Sequence, residues 1–254
     1  MMYVMTLDTH LRKKVNFPGP FTRQLHAFLL KMIKGVNPIL SKQLHDSKEK
    51  TSFAIFVGSR SSIKICSTDR EVITCLQTSF LDNPMINVET ETFKINEIHV
   101  KKRLLSESMQ LLDDVKNLKI EFQTPTAFTH SGKYYILPEP KRIFSSALKT
   151  YNQSEETTEQ LIWDDLLPII DKLVMIDINI KSKPISYGRF TVNGFVGKII
   201  WNINNLTREE KRFLSMLLTC MQVMGVGTKT TWGMGKIYAT TTCVGKSTGG
   251  ARKR

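Results

Sequence analysis

The histidines of this chain are the side chains best suited to moving protons near neutral pH, because the imidazole pKa lies at about 6.5. There are five of them: His10, His26, His45, His99 and His130. Their positions show no metal-ligand spacing, which favours metal-free acid–base chemistry over a metal-assisted reaction. Such chemistry also needs a cation to stabilise developing negative charge, and Lys or Arg suits that role.

A glycine-rich segment, GVGTKTTWGMG, occupies residues 225–235. Glycine permits positive φ and close approach of the backbone to a ligand, and successive N–H groups can then bind an anion. An ordinary tight connection needs only one or two glycines. The segment is not a Walker loop, because no GK[ST] leads into a helix, and a helix precedes rather than follows it, unlike the dinucleotide fingerprint. We predict that this segment binds the sugar-phosphate backbone of RNA through Gly225, Gly227, Thr228, Lys229, Thr230, Trp232, Gly233 and Gly235.

Lysine and arginine outnumber aspartate and glutamate by 36 to 23, which gives a formal net charge of +13. A surplus of this size favours a polyanionic partner, and the wide spread of the basic residues favours nucleic acid over a membrane surface. The four cysteines form no CxxC pair, which argues against a zinc site or a disulfide framework and indicates a reducing cytoplasm. No membrane-spanning run or signal-peptide pattern is expected.

Hydrophobic periodicity in the first half predicts strand, helix, strand, strand, helix, strand. Asn37 before Pro38 predicts an additional short helix through Leu44, and Thr68 with Glu71 predicts a capping box before the second long helix. The predicted strands cover residues 3–8, 51–58, 61–67 and 86–100, and the first helix covers residues 21–34.

The second half repeats this order, with a capping box at Thr207 and Glu210. Its predicted strands cover residues 118–124, 173–181, 194–203 and 236–242, and its helices cover residues 140–151 and 207–224. The order is that of the ferredoxin-like fold. We therefore predict an α+β fold of two tandem ferredoxin-like (RRM-like) domains packed side by side, with a C-terminal glycine-rich loop. The predicted divisions are residues 1–115, residues 116–245 and a basic tail, residues 246–254.

The glycine-rich segment resembles the C-terminal loop of the RAMP superfamily of CRISPR proteins, since it reads G-apolar-G, five residues, G-apolar-G without a gap. Residues 122–138, FQTPTAFTHSGKYYILP, are similar to the segment that opens the second domain of the repeat-cleaving endoribonucleases of that superfamily. Residues 53–67 and 93–100 are also similar to segments of these endoribonucleases. Together these segments cover most of the chain.

The resemblance implies a catalytic histidine after an N-P-x-L-x-x-x-L-H stretch, and here that histidine is His45. It also implies a phosphate-stabilising lysine a few residues on, which is Lys50, or Lys48 if the loop differs by one turn. Some relatives carry a tyrosine in the first helix where this chain has Leu30, expected to lie off the apolar stripe. His26, one turn earlier, is then expected to take the missing polar role, to be the main base, or to be a histidine at the edge of the core.

What the resemblance implies for function is metal-independent cleavage of CRISPR precursor RNA within the repeat, to give mature guide RNAs. The RNA's own 2′-hydroxyl attacks the phosphate and leaves a 2′,3′-cyclic phosphate, so no cofactor is required. The alternative is a non-catalytic RNA-binding subunit of a CRISPR interference complex, and a general basic RNA-binding protein is a third class. A homodimer is left open. Of the tryptophans, Trp232 is expected to stack on a base, and Trp163 and Trp201 to belong to the core.

Overall fold

The first half of the chain folds into a five-stranded antiparallel sheet with helices on one face in the computed structural model. The structure describes residues 1–9, 17–46, 52–57, 62–88, 91–109, 111–154, 157 and 160–243. The strands are β1 (Met2–Thr9), β2 (Phe53–Val57), β3 (Ser62–Ser67), β4 (Met85–Val88) and β5 (Glu91–Arg103). The helices are α1 (Pro20–Val36), α2 (Pro38–Asp46) and α3 (Arg70–Asp82).

The second half forms a four-stranded antiparallel sheet and a small hairpin. Its strands are β6 (Val115–Thr126), β7 (Phe128–His130), β8 (Lys133–Tyr135), β9 (Val174–Ser186), β10 (Thr191–Asn202) and β11 (Ile237–Cys243). Its helices are α4 (Pro140–Asn152), α5 (Trp163–Asp171) and α6 (Arg208–Met224). Short 3-10 turns lie at Ser106–Ser108 and Thr230–Trp232.

Both sheets have the strand order of the ferredoxin-like fold. The order is β2-β3-β1-β5-β4 in the first sheet, where β4 adds one edge strand, and β11-β6-β10-β9 in the second. In the first sheet β1 lies between β5 and β3, and β2 is at an edge. In the second sheet β6 lies between β11 and β10, and β9 is at an edge, which is the same arrangement. The predicted fold class of two tandem ferredoxin-like domains is confirmed.

Each sheet buries its helix-facing residues in a separate hydrophobic core. A smaller apolar cluster joins the outer face of the first sheet to α6. Ala54, Phe56 and Cys66 contribute to it from the first sheet, and Cys220 and Met224 contribute from α6. The two domains therefore pack side by side through buried apolar side chains, which fixes α6 and the loop that follows it against the first domain.

One sequence expectation about local structure is wrong, and two elements were not predicted. The helix cap before α3 is Asp69, whose side chain accepts a hydrogen bond from the Glu71 N–H at 2.8 Å, whereas Thr68 is buried. Helix α5 and the β7–β8 hairpin were not anticipated. The box of Thr207 and Glu210 is as predicted, with both reciprocal hydrogen bonds present. Among the described residues, no helix is long and apolar enough to cross a membrane.

Candidate RNA-processing site

His45 lies in the last turn of α2, and its side chain is 75% exposed. The helix begins where the sequence predicts, because the Asn37 Oδ1 accepts a hydrogen bond from the Leu40 N–H at 2.9 Å. Leu40 and Leu44 are buried against the core and hold the opposite face of the helix. The His45 Nδ1 lies 2.9 Å from the Asp46 Oδ1. Since an ionised carboxylate only accepts hydrogen bonds, this contact places a proton on Nδ1.

His26 lies on α1, partly buried between the first domain and the glycine-rich loop. Its ring is stacked on that of Phe53, with centroids 5.5 Å apart, and lies 6.4 Å from that of Trp232. Burial, together with the smaller effect of the His45 charge, lowers the pKa of His26 to about 4. The imidazole of His26 is therefore neutral at neutral pH, and the two histidines are close enough to interact electrostatically.

Leu30 differs from the expectation. It was predicted to lie off the apolar stripe of α1, but it is buried and belongs to the first hydrophobic core. A seventeen-residue helix packed on α2 and α3 buries a wider face than the simple stripe indicates. Among the described residues of α1, His26 rather than position 30 therefore offers a polar side chain at the loop.

The glycine-rich loop turns sharply between α6 and β11 because four of its glycines have positive φ: Gly225, Gly227, Gly233 and Gly235. A Cβ at Gly235 would lie 1.9 Å from the Val226 carbonyl oxygen, and one at Gly227 would lie 2.3 Å from that of Ala127. Only glycine fits these two positions, since both the φ values and the space exclude a side chain. The paired GxG motif thus builds the loop's shape.

Most N–H groups of the loop donate within the protein. The Val226 N–H donates to the Gly235 carbonyl, the Gly227 N–H to the Ser146 Oγ, and the Thr228 N–H to the Ala127 carbonyl. On the return path, the N–H groups of Trp232, Gly233, Met234 and Gly235 also find backbone acceptors. The groups of the loop that reach solvent are therefore mainly side chains: Thr228, Lys229 and Trp232 are partly exposed, whereas Thr230 is buried.

The loop is attached directly to α1 of the first domain. The Thr22 hydroxyl donates to the Trp232 carbonyl oxygen at 2.7 Å, and Gly233 lies against the ring of Phe17. The Lys229 Nζ lies 3.9 Å from the centroid of the Trp232 ring. The structure thus brings Lys229 and Trp232 of the second domain to His26 of the first.

The remaining predicted residues are placed as follows. Lys48 and Lys50 lie outside the described residues, as does His10. His130 ends β7 and is exposed, and His99 lies on the outer face of the first sheet. Trp201 is fully buried as expected, whereas Trp163 is only partly buried against the second core.

A groove of about 740 Å³ runs beside the loop, between residues 227–232, β7 and α4. Its basic side chains are Lys141, Arg142, Lys149 and Lys229, and its one carboxylate, Glu139, is paired with Arg142 at 2.8 Å. In the sequence, Lys141 and Arg142 contribute to the general surplus of basic residues. Spacing on α4 could have indicated the groove, because Lys141, Ser145 and Lys149 recur every four residues on one helical face.

One group among the described side chains has a geometry that could hold a metal ion. Ligand atoms of Asp8, Glu97 and His99 lie within 4.8 Å of one another on the outer face of the first sheet. The His99 Nε2 is 2.9 Å from Glu97 and 3.8 Å from Asp8. All three side chains are substantially exposed, and the group does not include His26 or His45.

Sequence comparison identifies relatives along most of the chain. The family model described as CRISPR-associated endoribonuclease Cas6 matches residues 120–237. A Streptococcus thermophilus protein of the same description is 25% identical over 239 residues, covering 89% of this chain and 94% of the relative. A Mycobacterium tuberculosis protein of that description is 28% identical over 127 residues, covering 49% of this chain and 39% of the relative.

Solved structures share the fold. A Thermus thermophilus Cas6 product complex superimposes with a TM-score of 0.76 at 18% identity, over 94% of this chain and all of the other. A Cas6-related protein from Pyrococcus furiosus superimposes with a TM-score of 0.56 at 14% identity, covering 94% and 98% of the two chains. Over nearly its full length this chain is similar to a protein described as a CRISPR-associated endoribonuclease Cas6, its second domain matches the family model of that description, and its fold is shared with solved Cas6 structures.

Proposed function

We propose that this chain cleaves CRISPR precursor RNA within the repeat and thereby releases mature guide RNAs. One observation carries the proposal. The glycine-rich loop of the second domain lies against His26 of the first, with the Trp232 and His26 rings 6.4 Å apart, and His45 is close enough to His26 to lower its pKa. An RNA strand held by the loop is therefore within reach of acid–base side chains.

The proposed reaction needs no resident metal ion or cofactor. The 2′-hydroxyl oxygen at the cut site attacks the adjacent phosphorus, and its proton passes to a general base. The bond from phosphorus to the 5′ oxygen breaks, and a general acid protonates that oxygen. The products are a 2′,3′-cyclic phosphate and a 5′-hydroxyl, and the charge on the phosphorane is stabilised by a nearby cation.

His45 is the principal acid–base residue in this proposal. Its ring is exposed, and Asp46 orients it by accepting a hydrogen bond from the Nδ1–H. That contact leaves the lone pair of Nε2 available to take the 2′ proton. Lys50, or Lys48, remains the proposed phosphate-stabilising lysine.

His26 supplies the second imidazole. Because its pKa is lowered to about 4, the imidazole of His26 is neutral at neutral pH and can donate or accept a hydrogen bond to RNA. Its stacking on Phe53 also limits the ring's rotation, which favours positioning of the RNA over proton transfer as its main contribution.

The decisive experiment is cleavage of repeat RNA, transcribed from the host's own CRISPR array, in excess EDTA. We expect wild type to cut once per repeat and to leave the cyclic phosphate. His45→Ala should lower the rate by at least about a hundredfold with RNA binding retained, and Gln43→Ala, an exposed position on the same helix, should cut normally. Cleavage of RNA carrying a 2′-deoxy nucleotide at the cut site would exclude the mechanism, and full activity of His45→Ala would move the main role to His26.

A non-catalytic RNA-binding subunit of an interference complex is the second candidate. The buried Leu30 favours it, because α1 then lacks the polar residue expected of some cleaving relatives. Tight binding of the repeat by wild type without any cleavage would establish this alternative. In either case a cytoplasmic location is proposed, supported by the unbridged, buried thiols of Cys66, Cys75 and Cys220.

A further inference from the structure

Two cations from different domains share one pair of aromatic rings at the domain junction. The Arg23 guanidinium of α1 lies 5.6 Å from the ring centroid of Phe190 and 5.8 Å from that of Trp232. The Lys229 Nζ lies 5.7 Å and 3.9 Å from the same two centroids. Arg23 and Lys229 are therefore held near each other although both are positively charged.

No carboxylate neutralises this pair within the part of the chain that the structure describes, where neither Arg23 nor Lys229 forms an ion pair. Burial lowers the pKa of Lys229, and the charge of Arg23 lowers it further. Two unneutralised cations that repel each other are stabilised when an anion binds between them. A phosphate group has the charge and the acceptor oxygens to contact both.

The aromatic part of the cluster has one buried and one exposed side. Tyr187 is buried beneath it, 5.2 Å from the Trp232 ring, and its hydroxyl donates to the Trp232 carbonyl oxygen at 3.3 Å. Phe190, in the turn between β9 and β10, lies 6.0 Å from Trp232 and is 39% exposed. A rigidly supported ring that faces solvent beside two cations is a stacking surface for a nucleobase.

We propose that Arg23, Lys229, Trp232 and Phe190 form a binding site for one unpaired nucleotide, with its phosphate between the two cations and its base on Phe190. The base is unpaired because only an unstacked base offers its face to a side chain. The site adjoins His26, whose ring is 6.4 Å from Trp232, so the nucleotide flanks the cut. This inference rests on the proposed function and specifies how that site recognises its RNA.

The test uses full-length protein and repeat RNA that carries a 2′-deoxy nucleotide at the mapped cut site. A series of such RNAs with a single abasic position is titrated against wild type and Phe190→Ala. Wild type should lose about tenfold in affinity at one abasic position near the cut. Phe190→Ala should bind intact RNA with about tenfold lower affinity than wild type, and the abasic position should not lower the affinity of this variant further. Phe190→Leu, which keeps an apolar side chain, should behave like Phe190→Ala.

The phosphate contact is tested in the same way, with Arg23→Gln and a neutral methylphosphonate on the 5′ side of that nucleotide. The two losses should not add, because each removes one partner of the same contact. Lys34→Gln and Leu81→Ala, exposed positions on α1 and α3, should bind as wild type does. If the affinity losses from the protein substitutions and from the RNA modifications added fully at every RNA position, the nucleotide site would be overturned while the proposed function would stand. A wild type that neither binds nor cleaves the repeat would overturn both.

Discussion

The ring of His26 lies almost parallel to that of Phe53, at an interplanar angle of 17° and a centroid distance of 5.5 Å. Phe53 is fully buried on the edge strand β2, so it supports His26 from within the first core. A second aromatic neighbour of the ring is Trp232, from the second domain. A charged imidazolium at this position would lose hydration and gain no carboxylate partner among the residues that the structure describes, which is why its neutral form is favoured.

The first prediction follows from this burial. The pKa of His26 is about 4 in the folded chain and 6.5 ordinarily, so the unfolded chain binds the extra proton first as the pH falls. The contribution of His26 to the unfolding free energy is complete above about pH 6.5 and is lost progressively as the pH falls towards 4. Between about pH 7.5 and pH 5, wild type should lose about 2 kcal/mol more unfolding free energy than His26→Gln. Urea unfolding at the two pH values measures the difference.

The exposed Lys31 on the same helix provides the control for that experiment. Lys31→Gln should keep the pH dependence of wild type. Equal pH dependence in wild type and His26→Gln would show that His26 is not held neutral by the fold.

A second prediction concerns the loop glycines. Gly235→Ala places a Cβ 1.9 Å from the Val226 carbonyl oxygen at a φ of +75°, so we expect a loss of at least about 2 kcal/mol in unfolding free energy. Gly35→Ala is the matched control, because no atom lies within 4 Å of its added Cβ and alanine favours a helix. The control should be stabilised by about 0.5 to 1 kcal/mol. Thermal denaturation measures the change in stability of each variant. The prediction would be contradicted if both changes had the same sign.

A third prediction concerns the apolar cluster between the domains. Burial raises the pKa of the Cys66 thiol to about 12, so this thiol forms almost no thiolate in the folded protein. Phe56→Ala removes a buried ring that contacts Gly225 and should cost about 3 kcal/mol. We expect faster labelling of Cys66 by a thiol reagent in this variant, followed by mass spectrometry of the labelled peptide. Leu81→Ala, at an exposed site on α3, should label like wild type.

Local signals in the sequence predict the fold well because they act over a few residues. The box of Thr207 and Glu210 fixes the start of α6, and Asn37 fixes the start of α2. The Asp69 cap was misassigned because Thr68 and Asp69 are both good capping residues, and only the burial of Thr68 decides between them.

The candidate site depends on long-range contacts that no local pattern encodes. The hydrogen bond from Thr22 to the Trp232 carbonyl spans 210 positions, and together with the apolar cluster between the domains it holds the loop near His26. Leu30 illustrates the same limit, because its burial depends on how α1 packs rather than on its position relative to the apolar stripe. The cluster of Arg23 and Phe190 has no sequence signal at all.

A last prediction concerns the groove between α4 and the loop. Lys141 and Lys149 are exposed there, and neither has a carboxylate partner within the described ranges, whereas Arg142 is paired with Glu139 at 2.8 Å and lies 4.2 Å from the Tyr135 ring. If RNA phosphates follow this face, each free lysine releases one counterion on binding.

Lys149→Gln should therefore weaken RNA binding and reduce the slope of log affinity against log salt by about 0.7, the value for one contact to a single strand. Arg142→Gln should reduce the slope by less, because Glu139 already neutralises much of its charge. Titrations of the uncleavable repeat RNA over about a tenfold range of KCl measure the slopes. Lys34→Gln should leave the slope unchanged. Identical slopes for Lys149→Gln and wild type would place the RNA outside this groove.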